Sequence, residues 1–215
     1  MKCNLSFYSI RKSKTDKVYT YDLKQNMAIH SWSLYNCINI EFNIDNKTFI
    51  KHSGSWFEVD NNYVEKVNKF ISNIPNSEVV LPPFLEEYTT QECYNKIVAE
   101  IGEDIVCMDR KFVYIENSKF EFCDLLSKDK YIIHVKPWTR SATISHLFSQ
   151  GRVSADIVFS DESITQQIND SIKEAGGMEA YFINQNDNNL QYKIVFAIIY
   201  EWNKTMAERL PFFSK

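Results

Sequence analysis

Three residues in the stretch FEFCDLLSKDKYIIHVKPWTRSATISHLFSQ, residues 120–150, have side chains that together could hydrolyse a phosphodiester: Asp124, His134 and Lys136. A carboxylate binds a hard divalent cation through oxygen, and the cation lowers the pKa of a bound water and screens the scissile phosphate. An imidazole beside it is a second ligand to a transition metal, or a general base that needs no metal. A lysine ammonium on the same face neutralises the charge that builds on the phosphate oxygens in the transition state. His134 and Lys136 are two residues apart, so on a strand they share one face. Asp124 joins them only if it ends a neighbouring strand.

The elements that would position these groups can be read around them. FEFCDLL (120–126) and YIIHVK (131–136) are predicted as paired strands joined at Lys128-Asp129-Lys130. After Pro137 the period turns helical. SATISHLFSQGRVSADIVF places Ile144, Leu147, Phe148, Val153, Ile157 and Val158 on an inward stripe, with Gly151 as a point of bending or breakage. Gln150 on this helix would hold the lysine or a nucleic-acid backbone. Arg140 and Ser141 at its start would cradle a phosphate, and Trp138 would stack on a base. Upstream, TTQECYNKIVAEIG reads as a helix capped by Thr89 or Thr90 and stopped at Gly102, and Glu92 on it is the candidate to complete a metal shell.

An acid on one strand, acid-x-Lys on the next and then a helix is the layout of PD-(D/E)xK metal-dependent nucleases, which this block resembles. It departs at the second acid, so the pattern is D…H-x-K. The implied cofactor is Mg²⁺ or Mn²⁺, and histidine suits Mn²⁺ better. Plainer readings stand beside these. His134, flanked by Ile132, Ile133 and Val135, is equally a core histidine, and Asp124 is equally a turn residue. Lys136 reads as a solvated strand end, Glu92 as a surface acid and Ser141 as an ordinary helix cap. A check separates them: the side chains of Asp124, His134 and Lys136 either converge or do not.

The remaining chain supplies a frame. Residues 1–35 are basic and aromatic with no clear period, an N-terminal arm. From 38 to 59, INIEFNI, TFIKH and SWFEV alternate around Asp45-Asn46 and Ser53-Gly54, a meander of short strands. Asp60 caps the helix NNYVEKVNKFISNI. DIVCM and KFVYIE are further strands, Asp161 starts the helix DESITQQINDSIKEAGG, and LQYKIVFAIIY reads as a strand buried on both faces. The predicted fold class is α/β (α+β): a central mixed sheet of roughly five or six strands flanked by helices, restriction-endonuclease-like, after a β-rich arm. Residues 1–54 form the basic arm and meander, and residues 55–215 the core domain.

Composition excludes several function classes. Five glycines allow no G-x-G-x-x-G and no P-loop, and five cysteines without a C-x-x-C give neither a zinc ribbon nor a thioredoxin motif. No apolar run is long enough for a signal peptide or a membrane span, so the expected setting is the cytoplasm, without membrane contact. The net charge of -4 argues against a broad nucleic-acid footprint. Yet residues 128–152 carry five Lys/Arg against one Asp/Glu, a local basic stretch at the proposed site.

WFEVDNNYVEKVNKFI, QECYNKIVAE, FEFCDLLSKDKYIIHVK, SATISHLFSQGRVSADIVFSDE and KIVFAIIY…LPFFSK resemble, in that order, a sporadically distributed bacterial family of uncharacterised proteins. The likeness covers about residues 55–215, and its most specific pieces are E-x-C-D-L-L, I-H-V-K and S-H-L-F-S-Q-G. Members are commonly longer, which implies a short form or a C-terminal portion. Their patchy distribution implies defence or restriction loci. The reading is then a metal-dependent endonuclease with nucleic acid as partner, a homodimer being open. Two alternatives remain: a metal-independent ribonuclease using His134, His146 and Lys136, and a non-catalytic nucleic-acid- or partner-binding module.

Overall fold

The structure is a computed structural model and describes residues 9–115, 118–139, 141–158, 161–187, 191–201 and 206–210. They fall into two units, one running to Ile74 and rejoined by the segment around Met206–Arg209, the other comprising Pro75–Lys204.

In the first unit, Ser9 caps α1 (Ile10–Thr15), and β1 (Lys17–Asp22) pairs antiparallel with β2 (Met27–Ser33). A short α2 (Leu34–Cys37) follows. The expected meander forms as β3 (Ile40–Ile44), β4 (Lys47–His52) and β5 (Ser55–Val59), in that order across an antiparallel sheet. Its turns use the positive φ pairs that two-residue hairpins require: Asp45 at 49° with Asn46 at 62°, and Ser53 at 48° with Gly54 at 84°. Lys51 of β4 is buried, its ammonium donating to the carbonyls of Tyr35 and Ile38 and lying over the Tyr35 ring. Asp60 accepts from Tyr63 N and starts α3 (Asn61–Ser72). No residue of α3 is buried, and Tyr63 and Phe70 on it are exposed. The division between units falls after α3, whereas the sequence reading placed it at residue 54.

The second unit opens with α4 (Gln91–Ile101), capped by Thr90 and ended at Gly102 as read. Then come β6 (Ile105–Cys107), β7 (Phe112–Ile115), β8 (Ser118–Glu121), β9 (Leu125–Ser127) and β10 (Tyr131–Pro137). α5 (Ser141–Ile157), α6 (Glu162–Glu174) and β11 (Lys193–Ile199) complete it, and α7 (Met206–Arg209) follows in the other unit. The described residues form a four-stranded mixed sheet in the order β11-β10-β9-β6, with β10 and β11 parallel and the other pairs antiparallel. The architecture is thus α/β in the mixed, α+β sense.

Alternation along the strands divides the core between two faces. Leu125, Ile133 and Val135 face Tyr94 and Val98 of α4. Leu126, Ile132 and Val106 pack with Ile157, Val158, Ile164, Ile168 and Ile172 from the α5–α6 side.

Three expectations change. FEFCDLL is not one strand: β8 pairs with β7 as a separate hairpin, and the chain kinks through Phe122–Asp124 before β9. The kink is fixed by Asp124 N donating to Ile133 O at 3.0 Å and Asp124 O accepting from Met108 N at 2.8 Å. α5 runs unbroken through Gly151, which is buried where the helix closes on Phe196. β11 is an edge strand among the described residues, only half-buried, with Phe196 exposed at 37%.

Candidate functional site

The antiparallel register brings the end of β6, the start of β9 and the end of β10 to one edge of the sheet, since Leu125 pairs with both Cys107 and Ile133. Asp124 precedes β9 at that edge. Asp109 lies in the turn that leaves β6, and Glu121 ends β8, so the β7–β8 hairpin carries two carboxylates at its stem. One carboxylate oxygen from each of Asp109, Glu121 and Asp124 lies within 4.8 Å of the others.

Asp124 is 7% exposed. Its Oδ2 accepts from Val135 N at 2.7 Å and its Oδ1 from Gln91 Nε2 at 2.9 Å. Burial pushes its carboxyl up to about 7; the Val135 N–H opposes this, Glu121 and Asp109 add to it, and the Lys136 ammonium pulls back. Glu121 is raised for the same leading reason, opposed by the bond from Arg110 N and the charge of Lys136, and reinforced by Asp109. Arg110 has φ of 60°, the left-handed turn that aims its N–H at Glu121. From α4, one turn beyond Gln91, Asn95 Nδ2 donates to Asp109 Oδ2 at 3.3 Å. Asn95 Oδ1 is buried with no hydrogen-bond partner among the described residues.

Three carboxylates whose oxygens crowd together, with the carboxyls of Asp124 and Glu121 raised chiefly by desolvation and further by like charge beside them, are a donor set that could hold a hard cation. A bound divalent cation would offset that repulsion. The residues present fit Mg²⁺ or Mn²⁺.

Of the residues read from sequence, Asp124 belongs to the acidic cluster and Lys136 acts on it through its charge; His134 does not join them. It is 2% exposed, its ring stacks on Phe196 at 6.3 Å, and its Nε2 has no hydrogen-bond partner among the described residues. Burial alone lowers its pKa to about 4. The D…H-x-K trio is therefore corrected: His134 occupies the core, and the acids beside Asp124 are Asp109 and Glu121. Glu92 lies outside the cluster, bound to Lys96 at 2.8 Å and Arg110 at 2.7 Å. The hydrogen bond to Lys96 chiefly holds its carboxyl below the usual range. Trp138 N donates to Ile199 O at 2.9 Å, closing the β10–β11 pairing. Gln150 sits in α5 with its carbonyl accepting from Ser154. Arg140 and the Ser141 side chain lie outside the described residues.

Sequence reasoning missed Asp109, Glu121, Gln91 and Asn95. Asp109 falls between the strands read as DIVCM and KFVYIE, and Glu121 inside the one read as FEFCDLL, but nothing in either pattern says that a hairpin stem joins them. A cavity of about 430 Å³ in the same unit, lined by Lys96, Glu100, Gly102, Gly176 and Tyr181 among others, contains none of the three carboxylates.

A family model described as a family of unknown function (DUF6119) matches residues 3–215. The chain belongs to this family. The DUF6119 match spans the arm as well as the core, beyond the 55–215 of the sequence resemblance. No curated protein and no solved structure matches the chain. Among the described residues no helix is long and apolar enough to cross a membrane.

Proposed function

We propose that this DUF6119 chain is a metal-dependent phosphodiester hydrolase acting on nucleic acid, of restriction-endonuclease-like type. The observation that carries the reading is the convergence of Asp109, Glu121 and Asp124 within 4.8 Å, with Asp124 nine-tenths buried and the Lys136 charge felt by both Asp124 and Glu121. The order of elements supports it: α4, β6, β9, β10, α5, β11, with only the last strand pair parallel, sets an acid before the middle strand and a lysine at the end of its neighbour. The β7–β8 hairpin supplies the acids that the D…H-x-K pattern lacks.

A bound divalent cation would supply an activated water and screen the phosphate. Gln91 and Val135 N fix the Asp124 carboxylate, and Asn95 fixes Asp109, so the oxygens stand ready without rotamer search. Lys136 places positive charge where the phosphate gains negative charge. The metal-independent reading has less support, because His134 is sealed in the core and lowered to about 4 while His146 is exposed on α5.

The test uses plasmid DNA and structured RNA with Mg²⁺, Mn²⁺ or chelator. Cleavage is expected only with metal, to fall at least about 100-fold in Asp124→Asn and Lys136→Ala, and to persist in His134→Leu. Cleavage in chelator, or its loss in a folded His134→Leu, would overturn the site as drawn. Binding without cleavage under every condition favours the non-catalytic module.

A further inference from the structure

The first unit displays aromatic rings that its packing does not use. Lys17, Tyr19 and Tyr21 alternate along β1, so they project from one face of the β1–β2 hairpin, across from Ser33, Ser31 and Ala28. Tyr19 is 59% exposed and Tyr21 52%. The register passes from Thr20↔His30 to Tyr21↔Ala28, so the extra residue of this bulge-type irregularity is Ile29 on β2, and β1 keeps its alternation. The opposite face carries Val18, His30 and Trp32, the last two with ring centroids 5.9 Å apart. An isolated hairpin is marginal in water, and solvent-facing rings on it add nothing to its burial.

The setting is cationic. Residues 9–37 carry Arg11, Lys12, Lys14, Lys17 and Lys24 against Asp16 and Asp22. Same-face residues on an antiparallel strand recur about every 7 Å, a step that lets successive unpaired bases of an extended strand each meet a ring. Base–aromatic stacking is indifferent to sequence, and Lys17, on the same face of β1, offers positive charge to a phosphate. A folded duplex hides its base faces and offers nothing to Tyr19 and Tyr21.

We infer that the β1–β2 hairpin is a stacking platform for single-stranded nucleic acid, through Tyr19 and Tyr21 with Lys17 as phosphate contact. The inference deepens the nuclease reading and rests on it for the bound strand being a substrate; the binding itself is independent of cleavage.

The test keeps the two apart. The full chain as Asp124→Asn, in chelator, is titrated into fluorescein-labelled 20-mer oligo(dT), oligo(U) and the matching duplex at two salt concentrations. Single strands are expected to bind tighter than duplex and to weaken as salt rises. Tyr19→Ala and Tyr21→Ala each lose about 5- to 150-fold, the range for one stacked base. Tyr21→Phe retains binding, although it removes the bond to Asn26, which separates stacking from a structural role of that hydroxyl. Lys17→Ala lowers affinity and flattens the salt slope. Equal affinity of folded Tyr→Ala variants for single strands, or a preference for duplex, overturns the platform. So does a Tyr→Ala effect confined to self-association measured by sedimentation. Loss of cleavage in Asp124→Asn with binding intact speaks only to the catalytic reading, so each can fail alone.

Discussion

Asp124 and His134 are both buried near one end of the sheet, and burial drives their titrations in opposite senses. The Asp124 carboxyl moves from its usual 3.8 to about 7. Between those values the folded chain holds a proton that the unfolded chain has released, so this group makes stability fall as pH rises. The His134 imidazole moves from 6.5 to about 4. There the unfolded chain holds the extra proton, and stability rises with pH through the window. At about 1.4 kcal/mol per pKa unit each shift is worth roughly 3–4 kcal/mol, so the slopes nearly cancel. Glu121, raised by burial as well, adds a further contribution that falls as pH rises, so urea unfolding in chelator between pH 4.5 and 6.5 is expected to give the unmodified chain a profile between those of Asp124→Asn and His134→Leu. Asp124→Asn should rise with pH and His134→Leu should fall; parallel profiles for the two variants would show that the groups are not buried as described. At this scale the sequence was half legible. Asp124 and Lys136 could be named because strand period and turn position fix them. His134 followed its apolar neighbours Ile132, Ile133 and Val135 into the core, where it is 2% exposed.

Helices were the most legible elements, because capping chemistry is local: Asp60, Thr90 and Asp161 each accept the backbone N–H that a cap must satisfy. Strands depended on partners that the sequence does not name. The β8–β9 kink follows from Asp124 bonding to Ile133 and Met108, both distant in sequence, and the β1–β2 hairpin keeps both faces exposed and so leaves no burial alternation to read. Gly151 shows the difference well. Its freedom suggested a break in α5, but its lack of a side chain is what lets the helix approach β11. A Cβ there would stand 2.5 Å from Phe196 Cζ and 3.0 Å from Ile194 Cγ2. Gly151→Ala gains about 1 kcal/mol of helix propensity, yet overpacking costs about 1–3 kcal/mol, and the Phe196 ring also meets His134 and Phe148. The net expectation is a lower Tm for Gly151→Ala and recovery in Phe196→Leu/Gly151→Ala, measured as a double-mutant cycle. Stabilisation by alanine in both backgrounds would mean that α5 does not sit this close.

The two units differ in what holds them. Both apolar core clusters belong to Pro75–Lys204, whereas the other unit buries Ser13, Thr48, Lys51 and Leu210 among its described residues and leaves Tyr19, Trp32, Phe57 and Phe70 to solvent. Sequence composition gave no sign of this, because aromatic residues that could fill a core occur along both. With little buried apolar area, the first unit should open at lower free energy than the second, so one unfolding constant does not describe the chain. A cation at Asp109, Glu121 and Asp124 would bind only the closed form of the second unit and stabilise it by about 2.7 kcal/mol at one hundred times its Kd. Hydrogen exchange followed by mass spectrometry separates the two effects. Amides of β1–β5 are expected to exchange first in all conditions. Mn²⁺ should slow α4, β9 and β10 further, leave β1–β5 unchanged, and do neither in Asp124→Asn. Protection of both units alike, or equal protection in the variant, would place the cation elsewhere and remove the main support for the catalytic reading. Slow exchange in β1–β5 without ligand would instead show that the first unit has a core of its own.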